Sequence, residues 1–386
     1  MSANLPSFFQ LYQRLISIPS VSCLDPSWDT SNKPVIDQLA EWLESLGFSV
    51  EVKALLTSPG KYNLLARYQP HNERQGGLLL SGHTDTVPWD EGRWQFDPFK
   101  LTEKDNRWYG LGSADMKGFF AFVIEALKSV DINALKKPLT ILATADEETT
   151  MAGARELNAF TAFKPDFAVI GEPTSMAPIK MHKGHLTNAV KVIGKSGHSS
   201  NPAAGVNAID IIHEVIGELK TLRQHLQQRY QQPSFEVPYP TMNFGHIHGG
   251  DAANRICACC ELHIDLRPLP GMDLAEFSGL IQQQLGGIQQ RYPGAIEIID
   301  MHPPIPGFAC PDQSPWLQLA EALSGETAAA VNYCTEAPFV QQLGCDTIVM
   351  GPGSIAQAHQ PNEFITLAEI DPAQQQIREL IRRVCE

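Results

Sequence analysis

Between His185 and Asp300 the chain reads strand (HLTNAVKVIG), helix (NAIDIIHEVIGELKTL), strand (TMNFGHIHG), strand (CACCELHIDLR), helix (LAEFSGLIQQQLGGI) and strand (AIEIID). That β-α-β-β-α-β order is the pattern of a ferredoxin-like sandwich. It interrupts a different one. Before it, apolar strands (SVEVKAL, YNLLARY, GGLLLSG, LTILATA, DFAVIGE) alternate with helices (KPVIDQLAEWLESLG, KGFFAFVIEALKSV). After a Pro-rich crossing, MHPPIPGF, the α/β pattern resumes with WLQLAEALSG, DTIVMG and a C-terminal helix over PAQQQIRELIRRV. Strands buried on both faces read as continuous apolar runs. The fold class is therefore α/β: a layered domain over residues 1–183 and 301–386, with an α/β sandwich inserted at 184–300. A chain of 386 residues is also too long for one ordinary core. The polar stretch QHLQQRYQQPSFEVPYP reads as a loop inside the insertion.

Composition excludes several function classes. Apolar residues make up 43% and charged residues 19%, as in a globular protein. The net charge of −14 argues against nucleic acid or an anionic membrane as partner, because phosphate binding needs a basic face. No apolar run approaches a membrane span. The opening MSANLPSFFQLYQRLISIPS lacks a basic region followed by a clean apolar core, and reads as a helix of the mature protein. The CACC run at Cys257–Cys260 has no second pair at zinc-finger spacing, so its small thiols read as strand filler. Scattered unbridged cysteines fit a reducing cytoplasm.

Five polar clusters fall at the ends of strands or just after them: SGHTDTVP (81–88), GLGSADMKG (110–118), ADEE (145–148), GEPT (171–174) and AHQPNE (358–363). Ligands on open α/β sheets gather at the carboxyl ends of strands. Each cluster taken alone has an ordinary explanation. An acidic triplet is usually a solvated turn. Asp115 would serve as a helix N-cap. His359 would be a surface histidine and Glu172 a loop acid before proline. Taken together they supply imidazole and carboxylate donors, which suit zinc. His83 and Asp85 are two apart, so on extended backbone they face one side as a ligand and its orienting acid. Three carboxylates (Asp115, Glu148, Glu172) with a hydroxide would balance two zinc ions about 3.5 Å apart. On an extended chain Glu147 and Glu148 point to opposite sides, and Asp146 by default steadies the turn with a hydrogen bond.

With those motifs in order, the chain resembles the dinuclear-zinc amidohydrolases, the family of aminoacylases, desuccinylases and carboxypeptidase G, over nearly its whole length. GLGSADMKGF, ATADEETTMAGA, MHKGH and YCTEAPF are most similar to members that deacetylate N2-acetyl-L-ornithine. The resemblance implies metal-dependent hydrolysis of that substrate to L-ornithine and acetate, a step of arginine biosynthesis. The alternative it leaves is desuccinylation of succinyl-diaminopimelate, or a broader N-acyl-amino-acid amidohydrolase or dipeptidase activity. It implies two zinc sites, with cobalt able to substitute. His83 and Glu172 would bind one ion, Glu148 and His359 the other, and Asp115 would bridge them. Asp85 would hold the His83 ring and Glu147 would be the general base. His198 would reach the substrate carbonyl oxygen, in relatives across a dimer. Asn254 and Arg267 would bind substrate polar groups. Glu336, in CTEAP, is a candidate for the ornithine ammonium; otherwise it is an exposed loop acid. The insertion would be a lid and dimerisation domain, the partners a small acylated amino acid and a second copy of the chain.

Overall fold

The computed structural model describes residues 5–70, 75–160 and 163–386. The first four residues of the opening segment lie outside them; the helix expected there spans Phe8–Ile16, closed at its N-terminus by a Ser7/Gln10 capping box. Two compact units divide the chain: Met1–Lys180 with Cys310–Ala329 and Thr335–Glu386, and Met181–Ala309 with Ala330–Cys334.

In the first unit, strands Leu139–Thr144, Leu78–His83, Phe167–Pro173 and Asp346–Gly351 lie side by side and run parallel. Antiparallel strands Tyr62–Tyr68 and Ser49–Ala54 extend the edge next to Leu139–Thr144. The parallel strands are buried almost throughout, as their Leu-, Ile- and Val-rich sequences require. Helix Lys117–Lys128 is buried on nearly all sides and packs against helices Phe8–Ile16 and Leu367–Cys385. Two glycines let it approach the strand ends. A Cβ at Gly82 would lie 2.6 Å from the Met116 Cε, and one at Gly171 would run into the Phe119 ring. These glycines immediately precede His83 and Glu172, so the close approach brings the start of the helix to both side chains.

The second unit has the order strand Leu186–Ile193, helix Ala208–Arg229, strands Thr241–Gly249 and Cys259–Arg267, helix Leu274–Arg291, strand Ile296–Asp300. Spatially the third and fourth of these strands flank the first, giving the antiparallel order 241–249, 259–267, 186–193, 296–300. This is the ferredoxin-like arrangement. Alternate residues of Cys259–Arg267 are buried, and they join Val190, Val192 and both helices in one core.

Several local expectations need correction. Helix Ala208–Arg229 runs six residues into the stretch read as loop, because Leu222 and Leu226 extend its apolar stripe at helical spacing. The C-terminal helix begins at Leu367, five residues before the expected start, on a Thr366/Glu369 capping box. Cys257 and Cys260 are buried but Cys259 is exposed; among the described residues no disulfide joins the cysteines. A small antiparallel sheet of Thr102–Lys104, Arg107–Tyr109 and Phe364–Thr366 went unread, since three-residue strands leave no periodic signal.

Candidate metal centre

The parallel strands converge on one edge, and the expected residues follow from their carboxyl ends. His83 is the last residue of its strand, Glu172 the next to last of its own. Glu147 and Glu148 follow Leu139–Thr144, and His359 follows Asp346–Gly351 after a short 3-10 turn. Asp115 comes from the loop before helix Lys117–Lys128. It is not that helix's N-cap: Met116 occupies the position, with no side-chain cap.

His83 Nε2 stands 3.1 Å from Asp115 Oδ1 and 4.0 Å from Glu172 Oε1. His359 Nε2 lies 2.9 Å from Glu148 Oε2 and 3.7 Å from Asp115 Oδ2. Donor atoms of His83, Asp115 and Glu148 all fall within 4.8 Å of one another, and so do those of His83, Glu147 and Glu172. The two groups share His83. Its Nδ1 contacts the Asp85 main-chain carbonyl at 3.0 Å and the Asp85 carboxylate at 3.6 Å. The orienting contact is therefore mainly to the Asp85 backbone. The Asp85 carboxylate is turned instead to the acidic segment, where it accepts the backbone N–H of Glu147 at 3.3 Å and of Glu148 at 3.2 Å.

That segment is a tight turn and not extended chain. Asp146 has φ +58°, and its carbonyl accepts the N–H groups of Thr150 at 3.1 Å and Met151 at 2.6 Å. Its side chain has a definite place: Oδ1 accepts the Ser22 hydroxyl at 2.7 Å and lies 3.3 Å from Lys61 Nζ. Lys61 is buried and also binds Asp29 at 2.8 Å and the Thr30 carbonyl at 2.8 Å. The acidic triplet thus has two supports, Asp85 beneath its N–H groups and Lys61 on its first carboxylate. Glu363, within AHQPNE but given no role by sequence, accepts the N–H groups of Gly112 (2.9 Å), Ala114 (2.6 Å) and Asp115 (2.9 Å). It fixes the loop that presents Asp115.

The charges are crowded. Burial raises the carboxyls of Glu147 and Glu172 well above their ordinary value; Glu172 adds to the shift at Glu147 and Asp115 to that at Glu172. Burial and then Asp115 raise Glu148. Burial alone would lower the His83 imidazole, but Asp115, Asp85 and Glu172 outweigh it and hold it well above its usual value. The Glu148 hydrogen bond raises His359 to about 9. Glu148 Oε1 is buried and finds no hydrogen-bond partner among the described residues. Buried acids that repel one another, with an orphaned carboxylate oxygen among them, are what a divalent cation relieves. The imidazole and carboxylate donors fit a divalent metal, and the Asp115 carboxylate, with one oxygen towards His83 and the other towards His359, offers an atom to each side.

The remaining expected residues divide between the units. His198 and Asn254 are exposed on the second unit and lie in adjoining loops, with the Ser199 N–H donating to the Asn254 carbonyl at 3.1 Å. The Ser200 N–H donates to His198 Nδ1 at 3.2 Å, which leaves the proton of the neutral ring on Nε2. Arg267, also on this unit, is engaged by Asp265 through Nε at 3.0 Å and Nη2 at 3.1 Å. Glu336, on the first unit, is not an exposed acid. It is wholly buried, accepts the Thr144 hydroxyl at 2.8 Å, and burial pushes its carboxyl up to about 7.

Comparison with known proteins accords with this site. The acetylornithine deacetylase of Edwardsiella ictaluri is 57% identical over 386 residues, covering the whole of both chains. A tripeptidase from Staphylococcus aureus has the same fold, with a TM-score of 0.74 at 20% identity over 100% of this chain and 99% of its own. The Bacillus subtilis YXEP protein, described as a dinuclear metal binding peptidase, gives 0.67 at 15% identity over 98% and 97%. Residues 79–383 match the profile of peptidase family M20/M25/M40, and with the acids and imidazoles gathered at the strand ends, the chain belongs to that family.

Proposed function

We propose that this chain hydrolyses N2-acetyl-L-ornithine to L-ornithine and acetate, the step of arginine biosynthesis that frees ornithine. The observation that carries the reading is the full-length 57% identity to a protein named acetylornithine deacetylase. The imidazole and carboxylate donors gathered at the strand ends support it. Desuccinylation of succinyl-diaminopimelate is not favoured.

In this reading His83 and Glu172 would hold one ion and Glu148 and His359 the other, with Asp115 shared between them. When bound, zinc, with cobalt able to substitute, would supply Lewis acidity to this site. Asp85 keeps the His83 ring and the Glu147–Glu148 turn in register. Glu147 takes the proton of the attacking water and returns one to the departing amine nitrogen. His198, with its proton on Nε2, donates to the oxyanion. Asn254 and Arg267 take the substrate carboxylate, Arg267 while it shares its charge with Asp265. Glu336 would read the ornithine ammonium only as a wholly buried acid against Thr144. The second unit serves as lid and homodimer contact, and the unbridged cysteines support a cytoplasmic setting. Among the described residues no helix is long and apolar enough to cross a membrane.

The test is a rate panel with added zinc on acetylornithine, succinyl-diaminopimelate and several acyl amino acids. Acetylornithine should be turned over fastest. A faster rate on the succinyl substrate, or full activity after chelation, would overturn the reading.

A further inference from the structure

The second unit gathers imidazoles on its open sheet face. The edge strand Thr241–Gly249 carries His246 and His248, two apart and so on one side. Across the ladder His246 pairs with His263, and His248 with Glu261. A β-bulge makes this possible. Phe244 pairs with Ile264, a core residue, and the register then shifts across Gly245, so that His246 meets the outward-facing His263. Had the register run on unshifted through Gly245, His246 would pair with buried Leu262 and fall on the helix-covered face.

The rings are close. The centroids of His246 and His263 are 4.7 Å apart, those of His246 and His248 6.4 Å. They line a hollow of about 460 Å³ together with Glu261 and the exposed Cys259. His263 Nε2 lies 2.7 Å from Glu261 Oε1. In the neutral ring that bond places the proton on Nε2 and leaves the Nδ1 lone pair available, the usual carboxylate–histidine arrangement behind a ligand nitrogen. Three donor atoms do not yet converge within 4.8 Å here. The side chains are partly or fully exposed, and exposed side chains change rotamer within nanoseconds, so closing the set needs no movement of backbone. Lys191 faces Glu261 from the next strand, and Arg255 at the rim is paired with Asp251. Neither cation opposes the histidines directly across the ladder.

We propose that His246, His248 and His263 form a second metal site on the inserted unit, separate from the catalytic centre, for a late first-row divalent cation. Imidazole nitrogen, with a thiol at hand in Cys259, selects nickel, copper or zinc over magnesium or calcium. The inference does not depend on the substrate proposed above.

The test adds Ni2+ alone to the full-length enzyme already loaded with zinc, followed by dialysis and counting of both metals per chain. The wild-type chain should hold one nickel beyond its zinc complement, with a visible absorption band from nitrogen ligation. His246→Gln/His263→Gln should lose that equivalent and keep the wild-type hydrolysis rate. Glu261→Gln should weaken retention about tenfold. Because these positions are at the surface, circular dichroism and the retained rate report that the variants fold. Equal nickel in wild type and double variant, nickel that displaces zinc, or none retained by the wild type would overturn the site.

Discussion

Asp85 accepts the backbone N–H of Glu148 at 3.2 Å, and through its other oxygen that of Glu147 at 3.3 Å. One buried carboxylate therefore sets the position of both glutamates while its own carbonyl contacts His83 Nδ1 at 3.0 Å. Burial would raise its pKa, but His83 and the Glu148 N–H lower it below the usual value, so it stays an anion. Asp85→Asn keeps one acceptor and loses the charge. Metal affinity should fall about 10- to 100-fold, as when an orienting group behind a ligand is lost. Metal titration of the purified variant measures this; unchanged affinity would show that the turn holds itself.

Glu147 and Glu148 should separate cleanly. Glu148 lies 2.9 Å from His359, whereas Glu147 groups with His83 and Glu172. Glu147→Ala should retain both metals and lose about 10²- to 10⁴-fold in kcat, the typical worth of a positioned general base. Glu148→Ala should lose one metal equivalent. Metal content against kcat decides; if Glu147→Ala is the variant that loses metal, the two roles are exchanged.

Lys61 should matter although it touches no catalytic group. It is buried, and its ammonium lies 3.3 Å from Asp146 and 2.8 Å from Asp29. Lys61→Met leaves the Asp146 carboxylate buried without its counter-charge, which typically costs about 3–5 kcal/mol. Unfolding in urea should show the loss, with lowered metal occupancy because the glutamate turn starts at Asp146. A variant as stable as wild type would mean that Ser22 and Asp85 hold the turn without Lys61.

What was legible in the sequence, and what was not, has a physical cause. Leu78–His83 and Phe167–Pro173 announced themselves because a strand buried on both faces must be apolar, and a charge at its end is then conspicuous. The ferredoxin-like insertion was legible for the same reason, as the alternation in Cys259–Arg267 is a direct record of one buried face. The supports of the site were hidden. Glu363 binds the Asp115 loop from 248 residues away, and Lys61 meets Asp146 only through the fold. No local period marks such partners. The turn at Asp146 was misread as extended because its left-handed backbone is set by these distant contacts and by no glycine.

The last expectation concerns acid stability and lies outside the metal centre. His182 is wholly buried, its Nδ1–H donating to the Lys183 carbonyl at 2.8 Å, and burial lowers its pKa to about 4. The unfolded chain would protonate this ring near its ordinary value of about 6.5. Between those limits the unfolded state binds more protons, so stability rises with pH and is lost as pH falls from about 6.5 towards 4. By pH 5 the loss from this one group should reach about 2 kcal/mol. His182→Asn keeps an N–H for the carbonyl and removes the titration. Urea unfolding of the transition that includes this unit, at pH 7 and pH 5, should show the wild type losing about that much more than the variant. Equal losses would mean that His182 gains water or a partner on acidification and is not forced to stay neutral.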